Sequence, residues 1–177
     1  MSNFASWYRS LSVEHQDKID DLRRELKEIL PGFHSLSLPQ AGEGYRVLKA
    51  HFVDKEKNIK IDYNFTELST GEKVLIILYA LLYGARDQGY SLFLDEPENF
   101  LALAEIQPWL MNLSDFSGQE ISQAVLISHH PEVIDYLGLD YGIQFGREAN
   151  GPVRVKKIES HTDSDLKLSQ KIERGWD

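Results

Sequence analysis

Ser91-Leu92-Phe93-Leu94-Asp95-Glu96-Pro97-Glu98-Asn99-Phe100 is the stretch that decides how the remainder of the chain is read. The apolar run Leu92-Phe93-Leu94 predicts a strand buried on both faces, as in a parallel sheet. Pro97 has no N–H to give to a ladder, so the strand is expected to end there with two acids at its carboxyl edge, where open α/β sheets bind ligands. Adjacent strand residues point to opposite faces, which gives Asp95 and Glu96 different tasks. One can hold a hydrated metal ion while the other faces a reacting water. Two solvated acids in a turn after a strand is the plainer reading of the same pair.

Working outward, the second strand of such a sheet is Gln123 to Ile127, ending in Ser128-His129-His130-Pro131. Pro131 starts a helix to about Leu137 from the one helical position where a missing N–H costs nothing. Upstream, Glu67-Leu68-Ser69-Thr70-Gly71-Glu72 opens a helix that is apolar almost all round, runs to about Tyr83 and is therefore expected to be buried. Ser69 followed three residues later by Glu72 forms a capping box. Between the two core strands, Leu101, Leu103, Ile106, Trp109, Leu110 and Leu113 predict a further helix.

The flanks are simpler. Residues 1–32 form a helical lead-in: a short helix from Phe4 to Leu11, then one capped by Ser12 and stopped by Pro31-Gly32, with an Asp20–Arg24 pair on its charged face. Over 33–65 three segments, Phe33 to Leu38, Tyr45 to Val53 and Asn58 to Phe65, read as an antiparallel meander. Phe33, Leu36, Leu38, Val47, Leu48, Phe52, Ile59, Ile61 and Tyr63 are its expected buried positions. Over 138–177 a hairpin crosses Asn150-Gly151, and the tail from Asp163 is a polar helix. Trp7, Trp109 and Trp176 are expected in the core or at a partner.

Length and composition bound the rest. The 177 residues suit a single domain, and the absence of cysteine excludes disulfides, thiolate metal sites and cysteine nucleophiles. A formal charge of −9 argues against a surface built as a whole for nucleic acid. Trp7, Tyr8 and Arg9 stand where a signal peptide needs an apolar core, and the longest apolar run, Val74 to Tyr83, is too short to span a membrane. A soluble, cytoplasmic protein is expected.

Three ends are thus expected to converge: a helix amino terminus at Ser69, a strand end at Asp95-Glu96 and a strand end at His129. Their chemistry is coherent around a nucleotide γ-phosphate, since a helix start rich in Ser, Thr and Gly offers N–H groups and a positive dipole end to an anion. At these residues the sequence resembles the ATP-binding-cassette class, most closely the SMC/RecF/OLD-like ATPases. Leu68-Ser69-Thr70-Gly71-Glu72 is similar to the signature motif, Leu92 to Glu96 to Walker B, Pro97 to Leu101 to the D-loop, and Ile127 to Pro131 to the switch-histidine motif. The resemblance implies part of a P-loop NTPase fold, with parallel core strands flanked by helices plus the meander, and its motif core over 66–137. It implies ATP and Mg²⁺ as cofactors, with Asp95 on the metal, Glu96 and His129 catalytic, and Ser69, Thr70, Gly71, Glu72 and Asn99 on nucleotide. Thr70 departs from the family's usual Gly. The chain has no Gly-x-x-x-x-Gly-Lys-Ser/Thr anywhere. The resemblance therefore implies the carboxyl-terminal half of such an ATPase, completed by an amino-terminal Walker A lobe on the same or a separate chain. It also implies a homodimer that sandwiches ATP and contact with DNA only through the complete assembly. A degenerate cassette acting as a protein-interaction module is the alternative. A metal-dependent nuclease built on Asp95, Glu96, His129, His130 or Asp163 and Asp165 is a third reading.

Overall fold

A computed structural model describes residues 3–54, 57, 59–147, 150–158 and 166–174. Asn58, Asp163, Asp165 and Trp176 lie outside the described residues. Expected to be one domain, the chain divides by its contacts into two compact units, Met1–Val125 and Leu126–Asp177.

The first unit begins with α1 (Phe4–Glu14) and α2 (Gln16–Ile29). α1 runs past the predicted end at Leu11, so Ser12 sits inside it and donates its hydroxyl to the Arg9 carbonyl rather than capping α2. The expected Asp20–Arg24 pair is replaced by two pairs at i,i+3, Asp20–Arg23 at 2.5 Å and Asp21–Arg24 at 2.9 Å. Leu22 and Leu26 turn the apolar face of α2 into the core.

β1 (Phe33–Ser37), β4 (Lys49–Asp54) and β5 (Ile59–Asn64) form the antiparallel meander in the order β1-β4-β5. The short hairpin β2 (Gln40–Gly42) and β3 (Tyr45–Arg46) interrupts the long second strand expected from Tyr45. Phe33, Leu48 and Ala50 are buried, but Ile59, Ile61 and Tyr63 are exposed, against expectation. They lie on β5, an edge strand, where alternation marks which side is apolar but not whether anything covers it. Ile61 and Tyr63, with Phe52 and Val53, line an open groove of about 440 Å³ together with Pro31, Leu68 and Glu72.

α3 (Thr70–Ala85) forms the centre of the unit, with Leu75, Ile76, Tyr79, Ala80 and Leu82 all but sealed from solvent. It packs against α1, α2 and α4 (Leu103–Phe116), whose Ile106, Trp109, Leu110 and Leu113 are buried. Gly84 lets α1 approach: a Cβ there would lie 2.9 Å from the Trp7 ring and 3.1 Å from Leu11. Burial pushes the Tyr8 phenol up to about 12, partly offset by Arg23. Burial, with the Glu25 carboxylate next, likewise raises Tyr83 to about 12. The Tyr83 hydroxyl donates to Glu25 at 3.1 Å.

β6 (Ser91–Asp95) pairs with β7 (Gln123–Ile127) in a two-stranded sheet, with α4 as the crossover between them. Just before the two strands, the Ser122 N–H donates to the Tyr90 carbonyl at 3.1 Å, as strands starting from the same edge require. The expected burial of β6 on both faces does not hold. Phe93 is 73% exposed, because a two-stranded sheet presents most of its surface.

In the second unit, α5 (Pro131–Tyr141) continues one turn beyond its predicted end, then β8 (Ile143–Arg147) and β9 (Val153–Lys157) form the expected hairpin. Asp135 of α5 accepts the Ser169 N–H at 2.8 Å and so tethers α6 (Leu168–Glu173). Ile127, which precedes this unit's helix, is 60% exposed at the end of β7. Among the described residues no helix is long and apolar enough to cross a membrane.

Candidate nucleotide site

The helix start is built as its sequence predicts. Ser69 is the N-cap of α3: its hydroxyl oxygen accepts the Glu72 N–H at 3.2 Å and donates to Glu72 Oε2 at 2.7 Å, while the Ser69 N–H donates to the same carboxylate at 2.9 Å. This reciprocal box satisfies two amides that a helix start otherwise leaves without partners. Ser69 and Thr70 are exposed, and Gly71 and Glu72 are half-buried. The start of this 16-residue helix therefore lies at the surface, with the dipole's positive end behind it.

Beside this terminus lies the turn that follows β6. The strand ends at Asp95, and Glu96 enters a left-handed backbone at φ 45°, so its direction is set by that turn and not by strand alternation. Pro97 disfavours the right-handed helical alternative for the residue before it. The turn is closed by the Asn99 N–H donating to the Glu96 carbonyl at 3.1 Å and the Leu101 N–H donating to that of Glu98 at 3.0 Å. The Asn99 side-chain amide donates to Glu96 Oε2 at 2.8 Å, orienting the carboxylate. Phe100 is also left-handed, at φ 74°. Such conformations cost on the order of 1–3 kcal/mol in non-glycine residues and persist where the surroundings over-determine them.

The structure brings the helix start and this turn into contact. A Cβ at Gly71 would lie 3.0 Å from the Phe100 carbonyl oxygen and 3.9 Å from Leu101 Cδ2. Gly71 thus has a packing reason to be glycine, and neither that nor the Asn99–Glu96 bond was foreseen. The Asn99 bond spans only three residues, so the i,i+3 spacing of an acid and an amide was the available signal. The Phe100 contact joins distant segments and left none. Asp95 is an exposed carboxylate at the strand end. No group of three or more metal-ligating side chains is found among the described residues. A single acid fits Mg²⁺, which keeps most of its waters and takes phosphate oxygens as ligands.

In the second unit, His129 is exposed and His130 half-buried. His130 caps α5 as expected: its Nδ1 accepts the Glu132 N–H at 3.3 Å, and the His130 N–H donates to Ser128 Oγ at 3.0 Å. The tail acids of the nuclease reading, Asp163 and Asp165, lie outside the described residues.

A solved structure from work on ATP-driven dimerization and DNA-stimulated activation of SMC ATPases matches with a TM-score of 0.57, covering 91% of this chain and 94% of that one at 19% identity. The likeness is one of fold: this chain is similar in architecture to an SMC ATPase domain. Because the match spans nearly all of both chains, the likeness is to a polypeptide of about the same length. No family model and no curated protein matches the chain.

Proposed function

We propose that this chain is the carboxyl-terminal lobe of an ABC-type ATPase and that it acts with a Walker A lobe carried elsewhere. The observation that carries the proposal is the SMC-type fold matched over nine tenths of the chain, in a sequence without any Gly-x-x-x-x-Gly-Lys-Ser/Thr. The exposure of Phe93 on β6 supports it, since an apolar strand residue at 73% exposure belongs under a covering element. Without that motif the chain lacks the lysine and backbone cradle that hold the β- and γ-phosphates, so alone it binds nucleotide weakly and turns over none.

In the completed site Asp95 is the carboxylate for Mg²⁺, which when bound supplies charge neutralisation to the phosphates. Glu96, aimed by the Asn99 amide, takes the proton of the attacking water. His129 hydrogen-bonds the γ-phosphate or that water. Ser69, Thr70 and Gly71 present the start of α3 to the nucleotide of a second copy, with Glu72 holding the Ser69 cap in place. ATP is thereby sandwiched in a homodimer, and its hydrolysis releases the pair. The acidic chain, at −9, leaves any DNA contact to the whole assembly. Glu96→Gln is the test. In an assembly supplied with the Walker A lobe it should trap an ATP-bound dimer on size exclusion, whereas an unchanged elution would favour a cassette kept only for protein interaction.

A further inference from the structure

The meander carries a second constellation, separate from the nucleotide elements. His51 of β4 faces Asp62 directly across the β4–β5 pairing, and Ser37 of β1 pairs with Lys49, two residues before His51 and hence on the same face. Ser37 Oγ lies 2.6 Å from His51 Nε2, and His51 Nδ1 lies 2.6 Å from Asp62 Oδ1. An ionised carboxylate only accepts, so Nδ1 carries the ring proton and Nε2 is left as the acceptor for the serine hydroxyl. The hydrogen bond from His51, helped by Lys49 and Lys60, holds the Asp62 carboxyl below its ordinary range and so keeps it ionised as that tautomer needs. Nucleophile, base and orienting acid therefore occupy the three roles of a serine relay, which is recognised by geometry and not by sequence order.

We propose that Ser37 is an activated nucleophile on the open face of the meander, with His51 as its proton acceptor and Asp62 as the positioning residue, and that it takes acyl groups from small activated esters. The hydroxyl oxygen adds to the ester carbonyl carbon as His51 Nε2 receives its proton. The carbon–alkoxy bond then breaks, the leaving oxygen takes that proton, and water hydrolyses the acyl-serine by the same relay. Lys49, across from Ser37 in the register, adds a cation to this row, where its charge already acts on Asp62. A cross-strand polar row with a purely structural role would stabilise the sheet but leave Ser37 as unreactive as any serine without a base.

The test is labelling of the full chain with an alkyl fluorophosphonate, in which the serine oxygen displaces fluoride from phosphorus, followed by peptide mapping. The expected result is one phosphonyl group at Ser37, absent in Ser37→Ala, with the rate about 100-fold lower in His51→Gln at unchanged far-UV circular dichroism. If His51→Gln does not fold, Asp62→Asn, at a side chain 55% exposed, should slow labelling about tenfold or more, and Asp62→Glu should restore part of the rate. No phosphonyl group on Ser37, or labelling at an equal rate in the folded relay variant, overturns the proposal.

Discussion

Gly71→Ala puts two effects of opposite sign against each other. Alanine in a helix is favoured over glycine by about 1 kcal/mol, so the substitution stabilises α3 if nothing lies over it. But the new Cβ meets the Phe100 carbonyl oxygen at 3.0 Å where ordinary contact begins at 3.4 Å, so the carbonyl must give by about 0.4 Å. That carbonyl belongs to a turn held by the Glu98–Leu101 and Glu96–Asn99 hydrogen bonds, with two residues already left-handed, which leaves it little freedom. Overpacking of this kind typically costs about 1–3 kcal/mol, and subtracting the propensity gain leaves a net loss of about 1 kcal/mol. For a protein of this size that lowers the thermal midpoint by about 3 °C, readable by circular dichroism or scanning fluorimetry. A midpoint that rises by a comparable amount would show that propensity alone governs and that Phe100 does not close over Gly71.

Two further outcomes follow from burial and charge. Trp109→Ala should cost about 3–5 kcal/mol in a urea titration, whereas Phe93→Ser should leave the isolated chain within about 0.5 kcal/mol, because Trp109 is fully buried and Phe93 is 73% exposed. Equal losses would mean that β6 is covered after all. Alkaline pH should destabilise the fold: Tyr8 and Tyr83 are raised to about 12 from an ordinary 10, so the unfolded chain loses these protons first. Their contribution is complete below pH 10 and is lost as pH rises from about 10 to 12, by roughly 2–3 kcal/mol for each tyrosine. A urea midpoint that stays flat across that window in wild type, and does not differ from Tyr8→Phe, would refute the assignment.

What was legible in the sequence was what is local. The Ser69–Glu72 box and the His130 cap followed by Pro131 span two or three residues and form as their spacing dictates. The apolar content of α3 announced its burial, because a helix apolar on most sides has nowhere else to go. Leu92-Phe93-Leu94 announced a strand but misled about its surroundings, since apolar residues state what should be covered and not whether this chain covers it. Ile59, Ile61 and Tyr63 failed for the same reason on an edge strand. Ser12 failed because a residue suited to capping also tolerates a helix interior when its hydroxyl can bond backward to the Arg9 carbonyl. The left-handed turn at Glu96, the Phe100 carbonyl over Gly71 and the Ser37–His51–Asp62 row depend on backbone conformation, packing and strand register, none of which a pattern of residue types specifies.

The central claim, that Asp95 and Glu96 belong to an ATPase completed by a lobe this chain does not carry, is tested most directly by phosphate release at saturating ATP and Mg²⁺. The account predicts no turnover by the purified chain, and turnover that appears when a Walker A lobe is supplied and is lost again in Glu96→Gln. Robust hydrolysis by the chain alone, or turnover in the assembly that Glu96→Gln leaves unchanged, would contradict it.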